Sequence, residues 1–281
     1  MRIRDYGLTV GSLPTGPLNR ISDVPGVTAG HATIVTEAHN TGVTVVLPCP
    51  DNPFVNKLPC ASFVLNGFGK TCGLVQVGEL GCIETPIALT NTLCVGRVAD
   101  GLVTNALREA RSAELPLPST INPVVGETND GRVSDIRARA VSESDVLAAI
   151  DSASADFARG SVGAGRGTVC FGLKGGIGSS SRLAGIGEKS YVLGVLVQSN
   201  FGRMPDLVLG GKPVGRRIAE ELAAPEAPER GSIMVVVATD APLSSRQLGR
   251  VIRRATVGLV RCGSYMGHGS GDVFVGFTTA N

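Results

Sequence analysis

The sequence predicts an α+β fold in which stacked β-sheets are flanked by helices. Its 281 residues, 43% of them hydrophobic, are enough to bury a large core. Short apolar runs bounded by glycine and proline predict strands, which dominate the middle of the chain. Helical segments come singly between them, which favours stacked sheets over a regularly alternating parallel sheet. Since no regular repeat is visible, we expect one domain over residues 1–281.

The predicted elements follow one another along the chain. Helices are predicted where apolar residues recur at about helical spacing or where a serine begins the segment. Residues 225–230, PEAPER, are rich in proline and charge and predict an exposed linker, where a backbone cut leaves the core intact. The predicted strands are 42–47, 73–77, 168–173, 191–198 and 233–239, and the predicted helices are 91–110, 144–157, 213–223 and 244–260.

Composition excludes several classes of function. Lys and Arg total 26 against 24 Asp and Glu, and there are 3 Tyr, 8 Phe and no Trp, so a nucleic-acid partner is not expected. The first residues lack the apolar stretch of a signal peptide, and no segment approaches the roughly 18 apolar residues that span a bilayer. We therefore expect a cytoplasmic protein without a membrane partner.

Cysteine and histidine usage argues against metal and triad chemistry. The 7 cysteines are odd in number and lack Cys-x-x-Cys spacing, so reduced thiols are expected rather than disulfides or a zinc site. His31, His39 and His268 are the only histidines, which leaves a Ser-His-Asp triad short of candidates. His268 lies close in sequence to Ser270 and can either face a site or lie on the surface. We expect no metal site.

A Gly-Ser pair, Gly231-Ser232, opens directly onto the apolar run 233–239. If the backbone is cut before Ser232, that serine carries its own α-amino group, which can serve as the general base that an ordinary serine borrows from histidine. Gly-Ser before a strand is also common turn chemistry, so the pair alone leaves both interpretations open. The surrounding residues have to decide between them.

Other polar and glycine-rich segments have local interpretations. The glycine clusters lack Walker spacing, and residues 163–167 do not follow a strand and open a helix, so neither is a nucleotide-binding motif. Residues 174–182, KGGIGSSSR, either bind an anion through backbone amides or form a hairpin turn, and we favour the hairpin. Asn200 follows the run 191–198, where it either forms a turn or donates its amide into a cleft.

Several short stretches spread over nearly the whole chain are typical of one protein family. The most specific runs from Gly231 through Ser232 to Leu243 and is followed by residues 269–272, GSGD. The others are GPLN (16–19), ISDVPGV (21–27), GH (30–31), TGVT (41–44), LNG (65–67), ETPI (84–87), TNT (90–92) and KGGIG (174–178). With these motifs the chain resembles the β-peptidyl aminopeptidase or L-aminopeptidase/D-esterase family of self-cleaving N-terminal serine hydrolases.

The resemblance implies a fold, a reaction and a set of site residues. The fold is a four-layer αββα sandwich that resembles Ntn hydrolases but differs in topology. Self-cleavage between Gly231 and Ser232 gives an α fragment, 1–231, and a β fragment, 232–281. Ser232 is the nucleophile, Asn200 stabilises the oxyanion, and Ser270 with Asp272 orients the nucleophile and its amine. The implied substrate is a short peptide, amide or ester, and the implied assembly is a homo-oligomer of cleaved heterodimers without a cofactor.

One segment departs from the family pattern. Residues 129–136 read NDGRVSDI, so Arg132 stands where the family has an active-site tyrosine. Arginine can still donate to an oxyanion or to substrate, but it is longer and carries fixed charge. Just before this segment, Glu127 is a candidate for binding the substrate's ammonium group, with Glu84 and Glu79 as rivals on the same logic.

Two other functions remain open at this level. An acyltransferase on the same scaffold resolves the acyl-enzyme with an amine instead of water, although that group usually has a threonine nucleophile. An uncleaved, catalytically weak relative with a binding role is the other alternative, which Arg132 in place of tyrosine supports.

Overall fold

The structure, a computed structural model, describes residues 3–224 and 231–280, so the predicted linker at 225–230 lies outside the described residues. The α-helices are α1 (Leu74–Leu80), α2 (Val95–Ser112), α3 (Glu143–Asp151), α4 (Gly215–Glu221), α5 (Ser245–Ile252) and α6 (Ala255–Arg261). The strands are β1 (Thr28–Val35), β2 (Asn40–Leu47), β3 (Leu58–Gly67), β4 (Cys82–Ile83), β5 (Ile87–Asn91), β6 (Val124–Thr128), β7 (Val169–Cys170), β8 (Leu173–Lys174), β9 (Gly176–Ile186), β10 (Lys189–Asn200), β11 (Val208–Leu209), β12 (Lys212–Pro213), β13 (Ser232–Thr239) and β14 (Gly271–Thr278).

Two sheets form the centre of the described chain. The smaller has the strand order β1-β2-β5-β6, and the larger has the order β4-β3-β14-β13-β10-β9. Neighbouring strands are antiparallel except for two parallel pairs, β5 with β6 and β13 with β14. The apolar run after Ser232 therefore becomes a central strand of the larger sheet.

Strand β13 is buried on both faces, because its side chains alternate between two hydrophobic clusters, one on each side of the sheet. Met234 and Val236 pack into the core between the sheets, together with Leu89 and Val124 of the smaller sheet. The side chains between them, such as Val235, pack on the opposite face. A strand buried on both faces reads as a continuous apolar run, as 233–239 does.

Helices cover the two outer faces. On the smaller sheet, Val98 of α2 and Val146 of α3 pack with sheet residues such as Val125. On the larger sheet, Leu248 of α5 and Leu259 of α6 pack in the cluster that contains Val235 and Phe274. The layers are helix, sheet, sheet and helix, so the predicted α+β fold with its αββα order is confirmed.

Five local predictions differ from the structure, one of them only in length: the predicted helix 144–157 ends at Asp151. Residues 73–77, predicted as a strand, begin helix α1, because a short apolar run does not by itself distinguish strand from helix. The predicted strand 168–173 holds only the two-residue strand β7 and the start of β8. The predicted helix 244–260 is divided into α5 and α6. The hairpin favoured at 174–182 is wrong, because residues 176–186 form strand β9.

No helix in the described part of the chain is both long and apolar enough to cross a bilayer.

Candidate active site

Strand pairing brings the ends of three strands together at Ser232. Ser232 is the first residue of β13 and lies opposite Asn200, the last residue of β10, in the antiparallel register. On its other side it lies next to Gly271, the first residue of β14, in the parallel register. The Ser232 side chain is buried.

A cavity of about 550 Å³ opens beside these strand ends. Gly231, Ser232, Asn200, Glu127 and Arg132 all line it. The structure therefore brings both residues of the predicted cleavage site and three further predicted site residues to one place. Ser270 and Asp272 lie beside the cavity at the start of β14, and His268 is exposed in the preceding loop.

Gly231 occupies a position where a side chain has no room. A Cβ atom there would lie 2.3 Å from the Asn200 carbonyl oxygen and 2.5 Å from Phe201 Cα. The Gly231 carbonyl accepts a 3.3 Å hydrogen bond from the backbone N–H of Gly271. The peptide bond before Ser232 is thus held between two neighbouring strands, with its carbonyl polarised by a backbone donor.

The orientation of the Asn200 amide is fixed from both sides. Its Oδ1 accepts a 2.9 Å hydrogen bond from Val169 N–H, and its Nδ2 donates at 3.0 Å to the carbonyl of Asn129. These bonds assign the amide oxygen and nitrogen without ambiguity. Because Nδ2 carries two hydrogens and Asn129 accepts one, a second N–H remains to donate in the cavity that Asn200 lines.

Ser270 and Asp272 form a buried pair. Ser270 Oγ donates a 2.7 Å hydrogen bond to Asp272 Oδ1. Asp272 lies next to Ile233 in the β13–β14 register, and Val273 packs in the core between the sheets. Since side chains alternate along a strand, the Asp272 carboxylate lies on the face opposite Val273. The pair is therefore beside the backbone of Ser232 and Ile233 rather than in the cavity.

Glu127 is a buried carboxylate held in the cavity wall. It is only 3% exposed, and its Oε1 accepts a 2.9 Å hydrogen bond from Lys70 N–H. Its Oε2 accepts from the hydroxyl of Thr92, the residue that follows Asn91 at the end of β5. Two fixed donors orient the carboxylate, and its remaining lone pairs can accept from a bound ammonium group.

Glu84 and Glu79, the alternative candidates for binding the substrate's ammonium group, do not line the cavity. Glu84 is buried away from the cavity, where it accepts a 2.8 Å hydrogen bond from Asn122 N–H and pairs with Lys57 at 3.3 Å. Glu79 is exposed on helix α1. Of the three carboxylates, Glu127 is the one in the cavity wall.

Asp130 is a further buried carboxyl group, in the loop that carries Asn129 and Arg132. Asp130 Oδ2 accepts a 2.5 Å hydrogen bond from Thr41 Oγ1, and within the described residues its Oδ1 has no hydrogen-bond partner. Burial raises the pKa of Asp130, although hydrogen bonds from Thr41 and Asn91 partly oppose the shift. A carboxyl group in such a place favours its neutral form.

Sequence reasoning missed several parts of the cavity wall. Phe68 and Lys70 come from the segment after β3, with the Lys70 ammonium 4.4 Å from the centroid of the Phe68 ring. Thr92 belongs to a motif that had no assigned role, and a hydroxyl directly after a buried strand was the available signal. Among the described residues, no three His, Cys, Asp or Glu side chains come together to hold a metal ion.

The αββα layers, and a buried serine that begins a strand beside an oriented amide donor, define a serine hydrolase of the N-terminal-nucleophile kind. Comparison with known proteins agrees. The family model described as Peptidase family S58 matches residues 19–281. The chain belongs to this family and is a serine aminopeptidase.

Individual relatives cover the whole chain. Beta-peptidyl aminopeptidase BapA of Sphingosinicella microcystinivorans is 39% identical, over 100% of this chain and 75% of the relative. A solved protein of Pyrococcus horikoshii is 44% identical with a TM-score of 0.93, over 100% of this chain and 80% of that one. The L-aminopeptidase D-Ala-esterase/amidase of Ochrobactrum anthropi, described as a new variant among the Ntn hydrolase fold, is 35% identical with a TM-score of 0.89, over 100% of this chain and 78% of that one.

Proposed function

We propose that this aminopeptidase matures by cutting its own Gly231–Ser232 bond and then uses Ser232 as an N-terminal nucleophile. One observation carries the proposal: Ser232 is a buried serine in the cavity wall, directly after a glycine and opposite Asn200. Cleavage gives Ser232 a free α-amino group within reach of its own hydroxyl. That amine can then serve as the general base for the hydroxyl.

The catalytic cycle follows from these groups. Ser232 Oγ attacks the carbonyl of the substrate's first residue while its α-amine takes the hydroxyl proton. The oxyanion accepts a hydrogen bond from the second Nδ2–H of Asn200. The ammonium then returns its proton to the departing amine, and the C–N bond breaks to leave an ester on Ser232. Water, deprotonated by the same amine, attacks that ester and releases the acid.

The substrate is the N-terminal residue of a short peptide, amide or ester. Glu127 supplies the negative charge that binds its ammonium group, because both carboxylate oxygens are oriented and the side chain lines the cavity. Arg132 lies in the same wall and contacts the substrate beyond the scissile bond or at its oxyanion. Similarity to β-peptidyl aminopeptidases makes peptides with an N-terminal β-amino acid the first candidates.

Ser270 and Asp272 act on the nucleophile's amine rather than on its hydroxyl. Their buried hydrogen-bonded pair lies beside the backbone of Ser232, where the new amino group forms. A carboxylate at that point stabilises and orients the ammonium form that appears during each attack.

Location and assembly are also proposals. The chain acts in the cytoplasm, which agrees with seven free thiols in the structure. It assembles as a homo-oligomer of cleaved heterodimers and needs no cofactor, nucleic acid or membrane. Size-exclusion chromatography with light scattering measures the oligomer directly.

Intact-mass spectrometry of the purified protein tests the central proposal. The wild type is expected as two fragments, 1–231 and 232–281, and Ser232→Ala as a single uncut chain. Ser190→Ala, which alters an exposed serine of β10, is the matched control and should cut normally. An uncut, folded wild-type chain, or a Ser232→Ala chain that still splits at this bond, would overturn the mechanism.

A further inference from the structure

Lys174, in the motif KGGIG, has an unusual environment for a lysine. Its ammonium group donates three hydrogen bonds, all at 2.9 Å, to the backbone carbonyls of Gly165, Thr168 and Gly175. These bonds use all three N–H donors of the ammonium. The group is therefore committed to holding backbone and has no donor left for an external anion.

The three carbonyls belong to two segments that must stay together. Gly165 and Thr168 lie before β7, and Gly175 lies between β8 and β9. Gly175 N–H also donates at 3.0 Å to the Thr168 carbonyl. A Cβ atom at Gly175 would lie 2.4 Å from the Ser199 carbonyl oxygen and 2.6 Å from Thr168 Oγ1, so only glycine allows this approach. The lysine and the glycine after it fix one compact loop.

This loop ends at the amide of Asn200. Val169, the residue after Thr168, donates its backbone N–H to Asn200 Oδ1 at 2.9 Å. Two residues further along, Phe171 N–H donates at 2.7 Å to the carbonyl of Phe201, the residue after Asn200. An unbroken series of short contacts therefore runs from the Lys174 ammonium through Thr168 and Val169 to Asn200.

We propose that Lys174 is a positioning residue for Asn200. By binding three carbonyls, its ammonium fixes the Val169 N–H, and this N–H holds the Asn200 amide so that its second Nδ2–H is presented to the cavity. The proposal rests on the role of Asn200 as oxyanion donor. Lys174 itself touches neither substrate nor nucleophile. Its loss should lower kcat and leave KM nearly unchanged, because the oxyanion exists only after the attack.

Because the Lys174 ammonium is titratable, the orientation of the Asn200 amide should depend on pH. Burial, together with the nearby Arg166 guanidinium, lowers the pKa of Lys174 to about 8. The Asp130 carboxyl group, whose pKa burial raises, packs against Gly167 beside this loop. Below its pKa the ammonium holds all three carbonyls. Above it, the neutral amine has one donor fewer and no charge.

A double-mutant cycle tests the proposal on mature enzyme whose Ser232 terminus has been verified by mass. Asn200→Ala alone should lower kcat about 100-fold or more, and Lys174→Met alone about tenfold. Combined with Asn200→Ala, Lys174→Met should have no further effect on kcat, because both changes remove the same oxyanion donor. Lys189→Met, which alters an exposed lysine of β10, is the control and should leave kcat unchanged.

Two results would overturn the proposal, and they have different meanings. If Lys174→Met lowers kcat equally with and without Asn200, Lys174 does not act through Asn200, while the proposed mechanism stands. If Asn200→Ala leaves kcat unchanged, the proposed role of Asn200 is wrong and the inference falls with it. Lys174→Gln, which keeps two N–H donors, replaces Lys174→Met in the cycle if the latter does not fold.

The pH profile gives a second readout that a purely structural lysine would not move. Wild-type kcat should fall on the alkaline side with an apparent pKa of about 8, the value for Lys174. This alkaline limb should be absent in Lys174→Met. An alkaline limb that persists unchanged in the variant would contradict the proposal.

Discussion

Ser270 Oγ donates a 2.7 Å hydrogen bond to Asp272 Oδ1, and this buried pair lies where β14 begins beside Ser232. Asp272 lies on this strand and Ser270 directly precedes it, and the N–H of the strand's first residue, Gly271, donates to the Gly231 carbonyl. The register places this carboxylate beside the backbone of Ser232 and Ile233. It is therefore suited to act on an α-amino group there.

The first prediction concerns the pH at which that amine becomes a base. Asp272→Asn removes an opposite charge that stabilises the ammonium form, so the pKa of the Ser232 amine should fall by about one unit. The acid limb of the kcat/KM profile should move to lower pH by the same amount. Ser264→Ala, which alters another buried serine in the loop before β14, should leave the limb in place. An unmoved limb in Asp272→Asn would show that the carboxylate does not act on the amine.

The second prediction concerns the residue before the cut. In Gly231→Ala the new Cβ would lie 2.3 Å from the Asn200 carbonyl oxygen, so the strand ends must separate and self-cleavage should slow at least about tenfold. The measurement is the fraction of uncut chain by intact mass over time after synthesis. Gly269→Ala is the control: Gly269 lines the same cavity, but a Cβ there has no atom within 4 Å. Equal cleavage rates in the two variants would refute the steric argument.

The third prediction separates recognition of the substrate's amine from chemistry. Glu127→Gln keeps the shape of the side chain, and its amide oxygen can still accept from Lys70 N–H while its Nε2 donates to the Thr92 hydroxyl. The charge is removed, so KM for substrates with a free α- or β-amino group should rise about tenfold or more. Substrates without that amine should be unaffected. Glu79→Gln, on the exposed face of α1, serves as the control. If KM values for both substrate types change equally, Glu127 is a structural group.

Local sequence signals account for some of the site and not for the rest. The apolar run after Ser232 predicts a strand, because a strand buried on both faces reads as a continuous apolar run. In the structure that strand begins at Ser232. The side-by-side position of Ser232, Asn200 and Gly271 depends on pairing between strands far apart in sequence. The resemblance to a family implies that Ser232 and Asn200 share one site, which the spacing of residues does not.

The predictions that failed have a common physical origin. The run 73–77 was assigned to a strand because its valines and leucine are apolar, but Val77 is buried by helical packing. Residues 174–182 favour a hairpin turn with polar side chains in solvent, whereas Gly175 and Gly178 allow close packing against β10. In both cases tertiary contacts, which a local pattern does not contain, decide the conformation.

The fourth prediction concerns Arg132, which lies in the cavity wall. A guanidinium pairs with carboxylates, so Arg132→Gln should lower kcat/KM for a dipeptide with a free C-terminal carboxylate about tenfold. The matching dipeptide amide should lose much less. The ratio of the two kcat/KM values, measured by chromatography of the products, checks this. If both fall in proportion, Arg132 acts at the oxyanion rather than on the leaving residue.

The last prediction concerns the buried carboxyl of Asp130, which lies between the cavity-lining residues Asn129 and Arg132. Because burial raises its pKa in the folded protein, the stability this group contributes is complete below its unfolded pKa, near 4, and is lost as pH rises through the folded pKa. Asp130→Asn removes this titration while keeping an acceptor for Thr41. The free energy of unfolding of the wild type should therefore fall, relative to the variant, as pH rises from about 4.

Urea unfolding in the Ser232→Ala background keeps the chain covalently whole, so the comparison remains unimolecular. Asp100→Asn, which alters an exposed carboxylate on α2, is the control and should show a difference from its parent that does not change with pH. If the difference in unfolding free energy between Asp130→Asn and its parent is also independent of pH, the Asp130 carboxyl ionises in the folded protein as easily as in the unfolded chain. The Thr41 hydroxyl would then be enough to offset the burial of the charge.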